Sequence, residues 1–276
     1  MSYNKLDFQK KLIEFQSTFL TLKEDEPKKI NLQSSELFEN QARNNMVTWL
    51  LFLCDTLNFN IQTLFRSIII FDKFISSSNI CNLEKNKNLT QEKLNLIAIA
   101  SLSLGTKLEE INCNYVSFFT EKVLNLPNCK IFTVKDLTKM ELNILKELKF
   151  KTLYNTSYDF MSFYFEVFKY LFNPNIQFFY NLKNITENIM KQNVKSEIFL
   201  NMTQSEYAFL CLNQAFIQIG MNNIMNQIRN LLIFNINNLI QINKFSINNN
   251  EGNNNKYSSK KINDNLDNNL LSLFSF

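Results

Sequence analysis

Histidine is absent from this chain of 276 residues, so the usual general base and the commonest nitrogen ligand of metals are both missing. Five cysteines are present, an odd number without C-x-x-C spacing, which argues against a disulfide framework or a zinc site and favours a reducing compartment. The sequence also lacks a glycine-rich phosphate loop and a G-x-S-x-G motif, which mark many nucleotide-binding and hydrolytic sites. These absences predict a protein that is not an enzyme and that carries no cofactor or metal.

Glycine and proline are scarce, with three of each in the chain. Almost no stretch alternates apolar and polar residues between turn pairs, so β-hairpins are not expected. Apolar residues make up 45% of the sequence and include 27 Phe, enough to fill sizeable hydrophobic cores. We therefore predict an all-α protein, built as one large domain or as two of ordinary size.

No segment approaches the run of about 18 apolar residues that a membrane-spanning helix needs, and the N-terminal stretch MSYNKLDFQKKLIEF lacks the apolar core of a signal peptide. The formal net charge is +4, with basic residues dispersed among acidic ones, which argues against a nucleic-acid surface. The acidic pair Glu109 and Glu110, at the end of a predicted helix, is expected to be solvated. We expect a soluble protein of the nucleus or cytoplasm, with neither a membrane nor a nucleic acid as partner.

The stretch from residue 89 to 150 carries the clearest helical signals. Small and large apolar residues are mixed between Thr90 and Lys107, which suits a central helix that its neighbours approach closely. A second helix is predicted from Thr133 to Leu148, because Thr133 can act as the N-cap and Asp136, three residues on, as its capping-box partner. These two helices should form the centre of the first domain.

Helices are also predicted over residues 5–22, 37–58 and 62–77. The first is amphipathic and should lie against the domain that follows it, with the charged segment 24–29 as a surface connector. The third is apolar nearly all round apart from Asp72, and a carboxylate in such a helix needs a partner unless it points to water.

A weak internal repeat appears in the second half. Thr203 opens a helix of small and apolar residues that ends at Gly220, about 113 residues after a similar helix opened by Thr90 and ended at Gly105. Apolar periodicity predicts further helices over residues 115–124, 158–172, 176–194, 221–234 and 236–245. Two five-helix units fit this count. The Asn-rich stretch 246–269 cannot bury enough apolar surface to fold and should be flexible.

Four segments of the first half resemble the cyclin family. LNLIAIASLSLGTKLEEI resembles the third helix of a cyclin box and LTKMELNILKELKF the fifth, while ARNNMVTWLLFLCDTLNF and LFRSIIIFDKFISS resemble the first and second. The positions that mark the family are occupied by Arg43, Asp72, Leu96, Lys107 and Glu141. The chain looks more like a cell-cycle cyclin than a transcriptional one.

The resemblance implies a fold of tandem five-helix cyclin boxes. A leading helix and connector would occupy residues 1–36, the N-terminal box 37–152, a divergent C-terminal box 153–245 and a flexible tail 246–276. The resemblance also nominates Arg43 as the partner of Asp72, in an internal ion pair that locks the first two box helices together.

The resemblance further implies a regulatory subunit that binds a cyclin-dependent protein kinase as a heterodimer and activates it in cell-cycle control. Lys107 and Glu141 would contact the kinase near its mobile helix, because an ammonium donates to carbonyls while a carboxylate accepts from amides. The apolar centre of the interface would comprise Leu104, Leu108, Leu145 and Phe150.

A second implied site concerns kinase substrates. Many cell-cycle cyclins carry Met-Arg-Ala-Ile-Leu in the first helix, where apolar residues and a Trp form a docking groove. Here the run is Ala42-Arg43-Asn44-Asn45-Met46, followed by Trp49. A groove formed by Arg43, Met46 and Trp49 should be shallower and more polar, so substrate docking is expected to be weak or altered.

Two other functions stay open from the sequence. A cyclin-fold transcription factor of the factor IIB kind would contact DNA, but that function favours a zinc ribbon and a concentrated basic face, and the sequence shows neither. A helical scaffold would use the fold without activating a kinase. Co-purification would discriminate: recovery of a kinase, lost on Lys107→Glu with Glu141→Lys, supports the leading hypothesis, whereas salt-sensitive DNA retention without a kinase supports the transcription factor.

Overall fold

The structure is a computed structural model that describes residues 5–27, 40–77, 90–110, 119–126, 129, 131–221, 224–228 and 230. Across these residues the chain contains α-helices and no β-strand, so the all-α prediction is confirmed. The helices are α1 (Lys5–Glu24), α2 (Asn40–Thr56), α3 (Ile61–Ile75), α4 (Gln91–Glu109), α5 (Val134–Glu147), α6 (Ser157–Phe172), α7 (Ile176–Asn193), α8 (Glu197–Asn201) and α9 (Gln204–Gln218). None of them has the length and apolar character needed to cross a membrane.

Some predicted elements fall partly or wholly outside the described ranges. A π-helical turn at Phe119–Val123 stands within the short helix predicted over 115–124, and residues 224–228 are helical within the one predicted over 221–234. The helix predicted over 236–245 and the Asn-rich tail lie outside the described residues.

Helix α4 is the centre of the first group of helices. Its side chains are buried without interruption from Ile97 to Thr106, and it packs against α2, α3 and α5. Small side chains along this run let the neighbouring helices approach closely on every face. The position of α4 is the one that its sequence predicted.

Gly105 lies inside α4, although the repeat in the sequence placed the end of a helix there. The helix continues to Glu109 because this glycine permits close packing and does not end the helix. A Cβ added at Gly105 would overlap Ser67 Oγ and stand 3.1 Å from the carbonyl oxygen of Thr63, both on α3. Gly220, its counterpart in the second copy, does follow α9 and has a φ of 79°, a left-handed conformation common after helix ends.

A second group of helices follows residue 156. Helix α9 packs against both α6 and α7, with α8 beside it. We expected α1 to lie against the domain that follows it, and the structure shows its aromatic side chains packed on α6. Phe15 contacts Phe163 and Tyr170 edge-on, with ring centroids 6.2 and 5.5 Å apart. Helix α6 is rich in Phe and Tyr. Edge-on pairs between these rings and Phe15 stabilise the packing of α1 on α6 by more than the buried area alone would contribute.

The N-terminus of α3 is capped by a side chain from the end of α4. Asn60, the N-cap residue of α3, makes no side-chain bond within its own helix. The Glu110 carboxylate instead accepts from Asn60 N at 2.7 Å and from Thr63 Oγ1 at 2.6 Å, a favourable place for negative charge. Glu109 accepts from Arg66 Nε at 2.6 Å. The expectation that Glu109 and Glu110 are solvated is therefore wrong.

The N-termini of two more helices are capped by side chains from distant parts of the chain. Gln204 Oε1 accepts from the backbone N–H of Ser157 at 3.1 Å, at the start of α6. Glu26 Oε1 accepts from the backbone N–H of Ser205 at 2.6 Å, at the start of α9. The interpretation of residues 24–29 as a surface connector is therefore wrong for Glu26, because its buried carboxylate supplies an acceptor that α9 needs.

Arg66 is a second buried charge in a helix where only Asp72 was singled out. Its guanidinium is bonded to Glu109, donates to the carbonyl of Tyr154 and lies 3.7 Å from Asp159 Oδ2. These contacts connect α3 with the end of α4, with the segment before α6 and with the first turn of α6. Arg66 therefore holds the two groups of helices together.

Candidate partner-binding site

Lys107 and Glu141 meet where α4 and α5 pack together. Lys107 lies in the last turn of α4, and its ammonium Nζ stands 2.8 Å from Glu141 Oε1 and 2.7 Å from Oε2. The side chain of Lys107 is 40% exposed, whereas that of Glu141 is 9% exposed. A molecule approaching from solvent would therefore meet the ammonium first, and the carboxylate mainly orients it.

Ser103 is the third member of this group. It lies one turn before Lys107 on α4, is fully buried and donates its hydroxyl hydrogen to Glu141 Oε1. Sequence reasoning missed it, because a serine in an apolar helix carries no signal of its partner on another helix. We refer to Ser103, Lys107 and Glu141 together as the Lys107 cluster.

The apolar residues that were predicted to accompany Lys107 and Glu141 differ in how exposed they are. Leu108 is 38% exposed and Phe150 65% exposed, while Leu145 is half-buried one turn after Glu141 on α5. Leu104 is buried, so its predicted place in an apolar contact surface is not supported, because neighbouring helices cover that face of α4. Leu153 is 64% exposed shortly after Phe150 and was not singled out from the sequence.

A tight turn after α5 presents the Phe150 ring to solvent. The backbone N–H of Phe150 donates to the carbonyl of Leu145 at 2.7 Å, which brings the two residues together. Lys149 and Phe150 have φ angles of 52° and 59°, and the left-handed conformation costs a residue with a Cβ about 1–2 kcal/mol. The backbone is therefore strained at Phe150, the residue whose ring is exposed here.

Arg43 and Asp72 form a buried ion pair between α2 and α3. Arg43 Nε and one terminal nitrogen each stand 2.8 Å from a different oxygen of Asp72, and both side chains are almost completely buried. Another nitrogen donates to the carbonyls of Val194 and Lys195 at 3.3 and 3.4 Å, beyond the end of α7. Asp72 therefore does not point to water, and Arg43 joins three segments.

This burial removes most of the substrate groove implied by the resemblance. Arg43 is 1% exposed and bonded to Asp72, and Met46 is also buried, so neither can contact a substrate in this structure. Trp49 is half-buried. The groove residues thus reduce to Trp49, because the other two belong to the packing between helices.

Reactive groups are few in the described part of the chain. No cluster of three or more His, Cys, Asp or Glu able to hold a metal occurs there. Burial raises the pKa of the Cys54 and Cys211 thiols to about 12 and that of Cys129 to about 11. These three thiols are therefore protonated near neutral pH and are poor nucleophiles.

Comparison with known proteins identifies the family to which the chain belongs. Residues 15–153, about half of the chain, match the sequence model of the cyclin N-terminal domain, so the chain belongs to the cyclin family and the resemblance of its helices is confirmed. It is 29% identical to Cyclin-D1-1 of Arabidopsis thaliana over 168 residues, 60% of this chain and 45% of that protein. It is 26% identical to the G2/mitotic-specific cyclin-2 of Medicago sativa over 121 residues, 44% of this chain and 33% of that one.

A solved structure gives the same fold. A viral cyclin from herpesvirus saimiri superposes with a TM-score of 0.57 at 17% identity, over 80% of this chain and 93% of the viral one. This likeness extends the match in fold beyond residue 153. The chain spans less than half the length of the two plant relatives.

Proposed function

We propose that this cyclin is the regulatory subunit of a cyclin-dependent protein kinase, and that it binds the kinase and activates it without chemistry of its own. The observation that carries the proposal is the solvent-facing ammonium of Lys107, held by Glu141 and accompanied by the exposed side chains of Leu108 and Phe150. A charged donor beside apolar groups suits a protein interface with a dry centre. We also propose that residues 37–152 and 153–245 are tandem cyclin boxes.

Glu141 and Lys107 have different roles in the proposed site. Glu141 is buried and engages the ammonium with both oxygens, so it restricts where Lys107 can point. The ammonium lies at the surface, where a backbone carbonyl of the kinase can approach it as an acceptor. Covering an exposed Phe or Leu side chain contributes up to about 1.5–3 kcal/mol each. Polar contacts would set the register, and apolar contacts would supply most of the affinity.

Activation would follow from selective binding. A protein kinase needs the Glu of its mobile helix paired with the phosphate-binding Lys. A subunit that binds only the inward position of that helix shifts the population towards the active state. Moving the ratio from 1:99 to 99:1 takes about 5.5 kcal/mol of differential affinity, which two or three buried apolar side chains are able to supply.

Charge reversal tests the proposal. Lys107→Glu places two carboxylates together and should abolish binding to purified cyclin-dependent kinases. The double exchange Lys107→Glu with Glu141→Lys restores opposite charges between α4 and α5 but presents an acid to the kinase. We expect it to fold and still fail to bind in a co-purification assay. Kinase binding by the double exchange at the level of the unaltered chain would contradict the proposal.

A matched control is the ion pair of Lys191 with Asp55. Its atoms stand 2.7 Å apart, and both side chains are substantially exposed. It joins α7 to α2, so exchanging its charges leaves the Lys107 cluster untouched. This exchange should leave kinase binding unchanged. Loss of binding in both exchanges would indicate a general effect of surface charge.

A further inference from the structure

We propose that Ser103 is a positioning residue for kinase binding: its hydroxyl keeps the Glu141 carboxylate in place when the Lys107 ammonium turns towards the kinase. This inference rests on the proposed function and adds a residue to its site.

The Glu141 carboxylate has two donors on the same helix face. Ser103 and Lys107 are four residues apart on α4, so they lie one above the other. Oε1 accepts from both side chains, whereas Oε2 accepts from the ammonium at 2.7 Å. One donor is fully buried and the other is half-exposed. Only the exposed donor is within reach of another protein.

Binding a partner changes the two donors differently. When the ammonium donates a hydrogen bond to a kinase carbonyl, its positive charge is shared between that carbonyl and Glu141. The carboxylate stays buried, and a buried carboxylate that loses a donor is strongly disfavoured. The Ser103 hydroxyl is enclosed by the helices and keeps its bond to Glu141. Ser103 therefore lowers the cost of drawing Lys107 towards the partner.

The chain contains a matched control for this serine. Ser101 lies on the same helix and is also fully buried, but its hydroxyl donates to the backbone carbonyl of Ile97 at 2.9 Å. Ser→Ala removes the same atom at either position and leaves a similar small void. Only the change at Ser103 removes a bond to Glu141.

The experiment measures kinase affinity and thermal stability for Ser103→Ala and Ser101→Ala in the full chain, with a purified cyclin-dependent kinase that binds the unaltered chain. We expect Ser103→Ala to weaken binding about tenfold, which corresponds to about 1.4 kcal/mol. Ser101→Ala should stay within about twofold at a comparable loss of melting temperature. Equal affinities for the two variants would overturn the inference.

A double-mutant cycle separates positioning from packing. If Ser103 acts through the carboxylate, Ser103→Ala should have no further effect on kinase affinity in a Glu141→Gln background. Additive losses would overturn the inference and leave the proposed function intact. If the unaltered chain binds none of a panel of cyclin-dependent kinases, the proposed function fails and the inference with it.

Discussion

Replacing Asp72 by alanine tests the buried ion pair that joins α2 to α3. The change leaves the Arg43 guanidinium enclosed, with Nε and one terminal nitrogen deprived of the acceptors that now stand at 2.8 Å. Breaking a buried pair by removing one partner costs roughly 3–5 kcal/mol. The other terminal nitrogen keeps its long bonds to the carbonyls of Val194 and Lys195. We therefore expect a loss in the lower half of that range.

Urea titration measures the loss as a change in the unfolding free energy, with the slope checking that the same surface is exposed. Asp55→Ala is the control, because it breaks an exposed pair and should cost less than about 1 kcal/mol. The apolar double variant Arg43→Met with Asp72→Leu should recover most of the stability, since replacing both charges leaves no buried ion unpaired. A loss below about 1 kcal/mol for Asp72→Ala would refute the reasoning.

Two further predictions concern α5 and the turn that follows it. Phe150→Gly and Lys149→Gly both relieve a left-handed backbone, so each should keep or raise the unfolding free energy by up to about 1 kcal/mol. In a kinase-binding assay only Phe150→Gly should weaken affinity, by about tenfold or more, and equal affinities would remove the ring from the site. The hydroxyl of Thr133, and next its backbone N–H, hold the pKa of Asp136 below its ordinary value. The capping box therefore stabilises the fold fully at any pH above the ordinary pKa of an aspartate. This stabilisation is lost as the pH falls through the lowered pKa. Stability curves against pH for Asp136→Asn and the unaltered chain should therefore converge in acid, and a constant gap would contradict this.

Local sequence signals predicted most of the helices. Thr90, Thr133 and Thr203 were identified as helix starts, and in the structure each hydroxyl accepts the expected backbone bond. Capping depends on residues three apart in the chain, so a sequence displays both partners at once. The identity of the central helix was likewise visible, because a run of mixed small and large apolar residues is rare except where neighbours surround a helix.

Contacts between distant residues were not predictable in the same way. The acceptor of Thr63 lies 47 positions along the chain, and that of the Ser205 N–H lies 179 positions away. Charged residues such as Arg66 look alike in a sequence whether they face water or a partner. The resemblance placed Leu104 in a contact surface, and neither it nor the local sequence reveals that neighbouring helices cover this side chain.

Several described helices depend on one another because their N-terminal amides donate to side chains from other parts of the chain. The starts of α3, α6 and α9 each have one backbone N–H that donates to a distant side chain, on Glu110, Gln204 and Glu26 respectively. In an excised segment that N–H would have only water as its acceptor. Deleting the first 26 residues would remove Glu26 and fray the start of α9, 179 positions further along the chain. Melting should then register as one sharp calorimetric peak in the intact protein and as a broadened one after the deletion.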